Sequence, residues 1–279
     1  MEKQVISIIY WGKFLFAFCV VCIHVDFVFY EYIRPICRLA VPFFFMVTGY
    51  FLYHNDELTM LKRIRNTRNK YLKLWVQYSI LFLAVHLIFL FGVGQKPHFS
   101  IDGLISYVLI GGSDDLWIWH DGVQYNIFLI TWYLQAGFFA LLLFSFLNIK
   151  RLLGRNVGGI ICLLCILDLA KSTYGIHIPL IDYVGRIVKL SVPFIWLGLI
   201  IHKEIDNIER INNIDCIKLI LFFVVSLVSS YFEYYMGNPN AELWFSTYPA
   251  VASLFCLMII LHKKSENNRS IIKLGGGIS

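Results

Sequence analysis

The sequence predicts an all-α, polytopic integral membrane protein of about eight to nine transmembrane helices, built as a single domain over residues 1–279. Three observations predict it. Apolar residues make up 58% of the chain and charged residues only 15%, with a mean hydropathy of +0.69. An ordinary soluble domain carries about 25% charged residues, so this chain lacks the charged skin a water-soluble core needs. The apolar residues also fall into eight stretches near the length that crosses a bilayer, about 20 residues each. Finally, the basic residues gather on alternate connections, as cytoplasmic loops do. A soluble enzyme, a disordered tail and a nucleic-acid module are all excluded as readings, and no nucleic-acid partner is expected. The formal charge of +6 is explained by loop bias.

The stretches run in order along the chain. Lys3 precedes an apolar run from Val5 to about Tyr30, the first span. A cleaved leader would show a short apolar region and a small-residue cleavage site, and this run has neither. A short turn holding Arg34 and Pro35 leads to a second span, Ile36–Tyr53. The third is Leu72–Val93. Leu104–Ile110 is too short to cross and is expected to be re-entrant or interfacial. Tyr125–Leu147, Val157–Ala170, Val184–Ile201, Ile217–Tyr235 and Thr247–Leu261 are spans four to eight.

Seventeen of the 24 basic residues lie at the N-terminus or in the segments after spans two, four, six and eight. This places the N-terminus and the even-numbered connections in the cytoplasm. The partner of such a chain is the lipid bilayer itself, and the pattern points to a multi-pass protein of a bacterial inner (cell) membrane. A homo-oligomer stays open as an alternative.

Seven cysteines are present, and Cys19/Cys22 and Cys162/Cys165 have CxxC spacing. Both pairs fall inside predicted spans, and no second Cys or His pair completes a zinc site. They read as small helix-packing residues, and no metal is expected. The largest outer segment, Gly94–Gln124, holds Asp114, Asp115, Trp117, Trp119, His120 and Asp121. Aromatic rings beside carboxylates bind sugars by stacking and hydrogen bonding. The same residues also fit an interfacial aromatic belt.

Ionisable groups inside spans are costly, so each is a functional candidate. Span one carries Lys13 and His24. Eleven residues separate them, about three helical turns and roughly 16 Å of rise, so both leave one face. Span two carries Arg38 and then Pro42, which loosens the backbone ladder. Arg186 and Lys189 lie near one end of span six, before Pro193 and Gly198, and Glu233 lies in span seven. Each has a blander reading. Lys13 can snorkel to the interface, His24 can bond between helices, Arg38 can pair with Glu31 or Glu233, and Arg186 and Lys189 can meet lipid headgroups.

Taken together, these residues resemble the acyltransferase-3 family of polytopic membrane O-acyltransferases. Lys13-x10-His24 is similar to the family's basic-x10-His pattern in its first helix, with Lys where Arg is commoner. Arg38 to Tyr50, with Val41-Pro42, Phe44-Phe45 and Thr48-Gly49-Tyr50, resembles the second-helix motif, Thr48 standing where Ser is usual. This stretch is the most specific signal in the chain. Arg65-x-x-Arg68 and Lys70-x-x-Lys73 both fit the family's basic cytoplasmic pair, and helix position favours the second. Trp132-Tyr133-Leu134 resembles a further stretch, but Ile130 stands where the family has His. Val192–Gly198 resembles a later span, and Glu233 sits where a helix glutamate often occurs. Lys273–Ser279 looks like the start of the family's final helix, which is therefore expected to be missing.

The resemblance implies transfer of an acyl group, acetyl by default, from cytoplasmic acyl-CoA (acetyl-CoA) to a hydroxyl of a cell-surface glycan or related acceptor. Acyl-CoA is the donor substrate. His24 is expected as general base, since its ordinary pKa near 6.5 suits proton removal at neutral pH. Arg38 is expected to stabilise charge on the thioester oxygen or to bind the acceptor. Lys13, Arg65, Arg68, Lys70 and Lys73 are expected to bind the donor, and Trp117, Trp119, Asp121 and Glu233 the acceptor. Direct transfer and an acyl-histidine intermediate are both open. A glycan or lipid transporter and a non-catalytic sensor domain are the alternative functions.

Overall fold

A computed structural model describes residues 2–24, 29–92, 118–120, 123–125, 131–147, 149–174, 190–209, 211–236 and 243–275. Among them the elements are α1 (Glu2–His24), α2 (Tyr30–Cys37), α3 (Ala40–Leu52), α4 (Glu57–Gly92), β1 (Ile118–His120), β2 (Val123–Tyr125), α5 (Trp132–Phe146), α6 (Ile149–Leu152), α7 (Arg155–Tyr174), α8 (Val192–Lys203), α9 (Ile205–Glu209), α10 (Asn213–Met236) and α11 (Thr247–Gly275). The fold is all-α. One short antiparallel hairpin stands beside the helices, pairing Ile118 with Tyr125 and His120 with Val123. Period reading passed over it, because three-residue strands carry no alternation to read. The turn-forming Asp121-Gly122 dipeptide between them was the available signal.

The chain forms two compact units. One holds α1–α3, α8 from Phe194 onward, and α9–α11. The other holds α4–α6, α7 as far as Lys171, and the hairpin. Two helices are long and apolar enough to cross a membrane by length and composition, Glu31–Leu52 and Asn213–Met236. The shorter apolar helices are Ile8–Ile23, Trp132–Phe146, Asn156–Leu167, Val192–Lys203 and Thr247–His262. Only 17% of the apolar window of α10 is buried. Its open side carries Ile217, Leu221, Val225, Val228 and Phe232. A face this apolar and this large fits lipid rather than water.

Several boundaries differ from the sequence reading. Arg34 and Pro35 were expected in a turn, but both lie inside α2. The true break comes at Arg38 and Leu39, both still in right-handed helical geometry. Its cause is local. Pro42 has no N–H to donate back to the Arg38 carbonyl, four residues earlier. Arg38 and Leu39 instead close with bonds to the carbonyls of Arg34 (3.0 Å) and Ile36 (3.1 Å).

The basic segment expected as a loop is the first part of α4, a helix of 36 residues and about 54 Å. Asp56 starts it, accepting the Thr59 N–H at 2.8 Å and the Thr59 hydroxyl at 2.5 Å. Those bonds hold its carboxyl below the usual range. Thr247 begins α11 as expected, but that helix continues past Leu261 and through Lys273 to Gly275. Leu104–Ile110 lies outside the described residues.

The core of the first unit is aromatic. Phe43 meets Phe16 at 4.5 Å and Phe255 at 5.7 Å between ring centres, joining α1, α3 and α11. Phe43 and Phe255 are fully buried. Gly12 of α1 admits this packing, since a Cβ there would lie 2.8 Å from the Phe43 ring and 2.6 Å from the Met258 methyl. Helices α3 and α8 cross backbone to backbone. Gly49 faces the Ile195 carbonyl, and Gly198 faces the Met46 carbonyl.

Candidate active site

Helix α2 and the residue that caps its end carry two basic groups of the first unit. Arg34 and Arg38 stand one turn apart, each part-buried. The Arg34 guanidinium lies 5.7 Å from the centre of the Tyr234 ring, a cation–π contact. One turn back on α10, the Tyr231 hydroxyl donates to the Tyr32 carbonyl at 2.7 Å. Tyr234 also meets Trp244 edge to face, with ring centres 5.7 Å apart. Below them the Ser230 and Ser246 hydroxyls share a hydrogen bond of 2.8 Å. Glu233 accepts the Ser246 N–H at 3.2 Å. The end of α10 is thus tied to the start of α11 on one side and to α2 on the other.

Helix α1 reaches the same strip. Cys19 and Cys22 both contact the Cys37 thiol, which is buried beside Arg38. All seven cysteines are free thiols. Lys13 is half-buried, its ammonium 5.2 Å from the Tyr10 ring centre. Its neighbour Gly12 faces inward against Phe43. His24 closes α1, and its side chain lies outside the described part. The structure therefore brings Arg38 and Glu233 into one unit with the Lys13–His24 helix.

The other end of this unit carries an aromatic–histidine stack. Tyr50 lies on the His202 ring at 4.4 Å, and Tyr53 approaches it at 5.1 Å. His202 Nδ1 bonds the Tyr50 carbonyl at 2.5 Å. A carbonyl only accepts, so Nδ1 carries the hydrogen.

In the second unit, the basic residues of α4 separate by face. Arg65, Lys70 and Lys73 are exposed. Arg68 turns inward, donating to the Ser145 hydroxyl of α5 at 3.1 Å and to Asn69 Oδ1. Tyr71 and Tyr133 share a hydroxyl–hydroxyl bond of 3.1 Å nearby on the same two helices. Trp75 is buried against Phe138 and Phe139. The spacing explains the split. Met60, Ile64, Tyr71 and Trp75 are one or two helical turns apart on the buried side, and Arg68, between Ile64 and Tyr71, sits at the edge of that stripe.

A protein-family model described as an acyltransferase domain matches residues 6–279, essentially the whole chain. The chain belongs to the acyltransferase-3 family. No curated protein and no solved structure matches it. The family and the apolar helices make it a membrane acyltransferase.

For this acyltransferase the sequence motifs become physical contacts. Gly49 of the second-helix motif and Gly198 of the later span are partners in one helix crossing. Both had been noted only as motif letters. The residues of this polar cluster that sequence reading did not single out are Arg34, Tyr234, Trp244, Ser230 and Ser246. Arg34 was set aside as a turn residue. Tyr234 and Trp244 gave no signal, because aromatics near helix ends are common in membrane proteins. Trp117 and Asp121 lie outside the described residues, as do Ile130, Arg186 and Lys189. Trp119 is in β1, with its side chain outside the described part.

Proposed function

We propose that this acyltransferase moves an acetyl group from cytoplasmic acetyl-CoA to a hydroxyl of a cell-surface glycan. It would act as a multi-pass protein of about eight or nine spans, with its N-terminus in the cytoplasm of a bacterial cell. The observation that supports this reading is that Arg38 and Glu233 lie in the same compact unit as the Lys13–His24 helix. A water-poor site of this kind raises the value of each charge–dipole contact.

The roles follow from the groups. His24 Nε2 or Nδ1 takes the proton of the acceptor hydroxyl as its oxygen attacks the thioester carbonyl. The guanidinium of Arg38 is positively charged at every working pH and stabilises the oxyanion that forms. Collapse of that intermediate releases CoA as the thiolate, which takes the proton back from the imidazolium. Lys13, Arg65, Arg68, Lys70 and Lys73 bind the CoA phosphates by charge-assisted hydrogen bonds. Glu233, with Trp117, Trp119 and Asp121, binds the acceptor.

The test is transfer from labelled acetyl-CoA in membranes containing the wild type or His24→Ala. The expected result is label in the glycan fraction, lowered at least about a hundredfold by His24→Ala, the usual size of a general-base contribution. Equal labelling by the variant removes His24 from the mechanism. Glycan export that ignores acetyl-CoA would instead support transport.

A further inference from the structure

Two of the most buried aromatic side chains in the first unit carry polar hydrogens that no described residue accepts. Tyr234 is 2% exposed and Trp244 is 4% exposed. The Tyr234 hydroxyl and Trp244 Nε1 are fully covered and make no hydrogen bond within the described residues. Buried polar groups are nearly always paired, and an orphan costs stability. The two orphans are not scattered. Their rings touch edge to face, and the Arg34 guanidinium lies over the Tyr234 ring.

We infer that Tyr234, Trp244 and Arg34 form a subsite for an acidic sugar. The indole N–H is a donor only, so its ligand must offer an acceptor oxygen. The phenol adds a second donor. The guanidinium has five N–H donors, enough to serve a ligand carboxylate beside any protein partner. Glu233, one residue from Tyr234, accepts the Ser246 N–H and has further lone pairs that can accept from a sugar hydroxyl. Three donors with one cation, set against one carboxylate, match an oxygen-rich ligand with a carboxylate. This narrows the acceptor class of the proposed glycan transfer and rests on that reading for its biological sense.

The test measures binding alone, with no acyl donor. Purified full-length protein in lipid nanodiscs is titrated with sodium glucuronate, glucose or sodium phosphate, and the unfolding midpoint is followed. Ligand that binds only the folded state raises it. Glucuronate is expected to raise the wild-type midpoint more than glucose or phosphate at equal concentration. Tyr234→Phe and Trp244→Phe are each expected to weaken glucuronate about three- to tenfold, the worth of one hydrogen bond. The Tyr234→Phe midpoint without sugar is expected to match or exceed the wild type, since it deletes a buried donor that no described residue accepts; Trp244→Phe also leaves a cavity and is read by its binding alone.

Four results overturn the subsite. They are no shift with glucuronate, an equal shift with glucose, an equal shift with phosphate, or a ligand-free midpoint lowered by Tyr234→Phe. Acetyl transfer is not measured, so loss of the transferase reading and loss of this subsite are told apart.

Discussion

Replacing Gly49 by alanine tests the helix crossing that joins two distant motifs. A methyl group at Gly49 would penetrate the Ile195 carbonyl of α8, and backbone cannot rotate away as a side chain can. The helices must separate. Alanine is intrinsically better than glycine in a helix by about 1 kcal/mol, which acts in the variant's favour. Overpacking of a close contact costs about 1–3 kcal/mol, and more where the obstacle is backbone. The net expectation is a loss of roughly 2 kcal/mol. Gly159→Ala is the internal control, because nothing lies within 4 Å of a Cβ there. It keeps the propensity gain without the clash, so it is neutral or stabilising by up to about 1 kcal/mol.

Gly198→Ala should resemble Gly49→Ala, since its methyl meets the Met46 carbonyl at the same crossing. Once one methyl has parted the helices, the second meets less resistance. The double variant should therefore cost less than the two single losses together. The assay is reversible unfolding in mixed micelles with increasing denaturing detergent, followed by circular dichroism. A Gly49→Ala variant as stable as Gly159→Ala would refute the close crossing. Strict additivity of Gly49→Ala and Gly198→Ala would refute its being a single contact.

Two further outcomes follow from the second unit. Arg68→Gln should destabilise the protein, because it removes the bond to Ser145, whereas Lys70→Gln and Lys73→Gln should stay within about 0.5 kcal/mol of the wild type. Equal effects from all three, by the same unfolding assay, would deny the inward turn of Arg68. Asp56 starts α4 with a carboxyl held below its ordinary pKa by Thr59. A lowered folded-state value means its contribution is fully present above the unfolded pKa and fades as pH falls through the folded one. The stability difference between wild type and Asp56→Ala should be constant near pH 7 and shrink only below about pH 4. A difference that vanishes already at pH 6 would contradict the cap.

Much of the fold was legible in the residues because a helix announces itself locally. Apolar runs placed α3, α7 and α10 within about four positions of where they form, whereas the first was expected to run past the end of α1 at His24, and residues 184–189 of the sixth lie outside the described residues. The errors came where one local rule met another. Pro35 was read as a breaker, yet the helix passes through it and breaks at Arg38–Leu39 instead, where Pro42 withholds a bond. Charge was read as loop, yet Lys62–Lys73 is helical, because Lys and Arg are good helix formers and one side of α4 is buried.

The site was legible in part. Lys13, His24 and Arg38 stood out because charge in an apolar run is rare, and that rule needs no partner to be known. The sequence by itself determined the all-α class, the membrane character and the motifs of the acyltransferase-3 family. Hydropathy and spacing are properties of neighbouring residues. Only the tertiary structure decided what each buried face meets. It set Gly49 against Ile195 and Gly198 against Met46. It turned Arg68 toward Ser145. It also laid Arg34 on Tyr234, and Tyr234 on Trp244. Periodicity reports that a helix has a buried side, but not which distant helix covers it. That choice is made by shape, and shape exists only once the helices have packed.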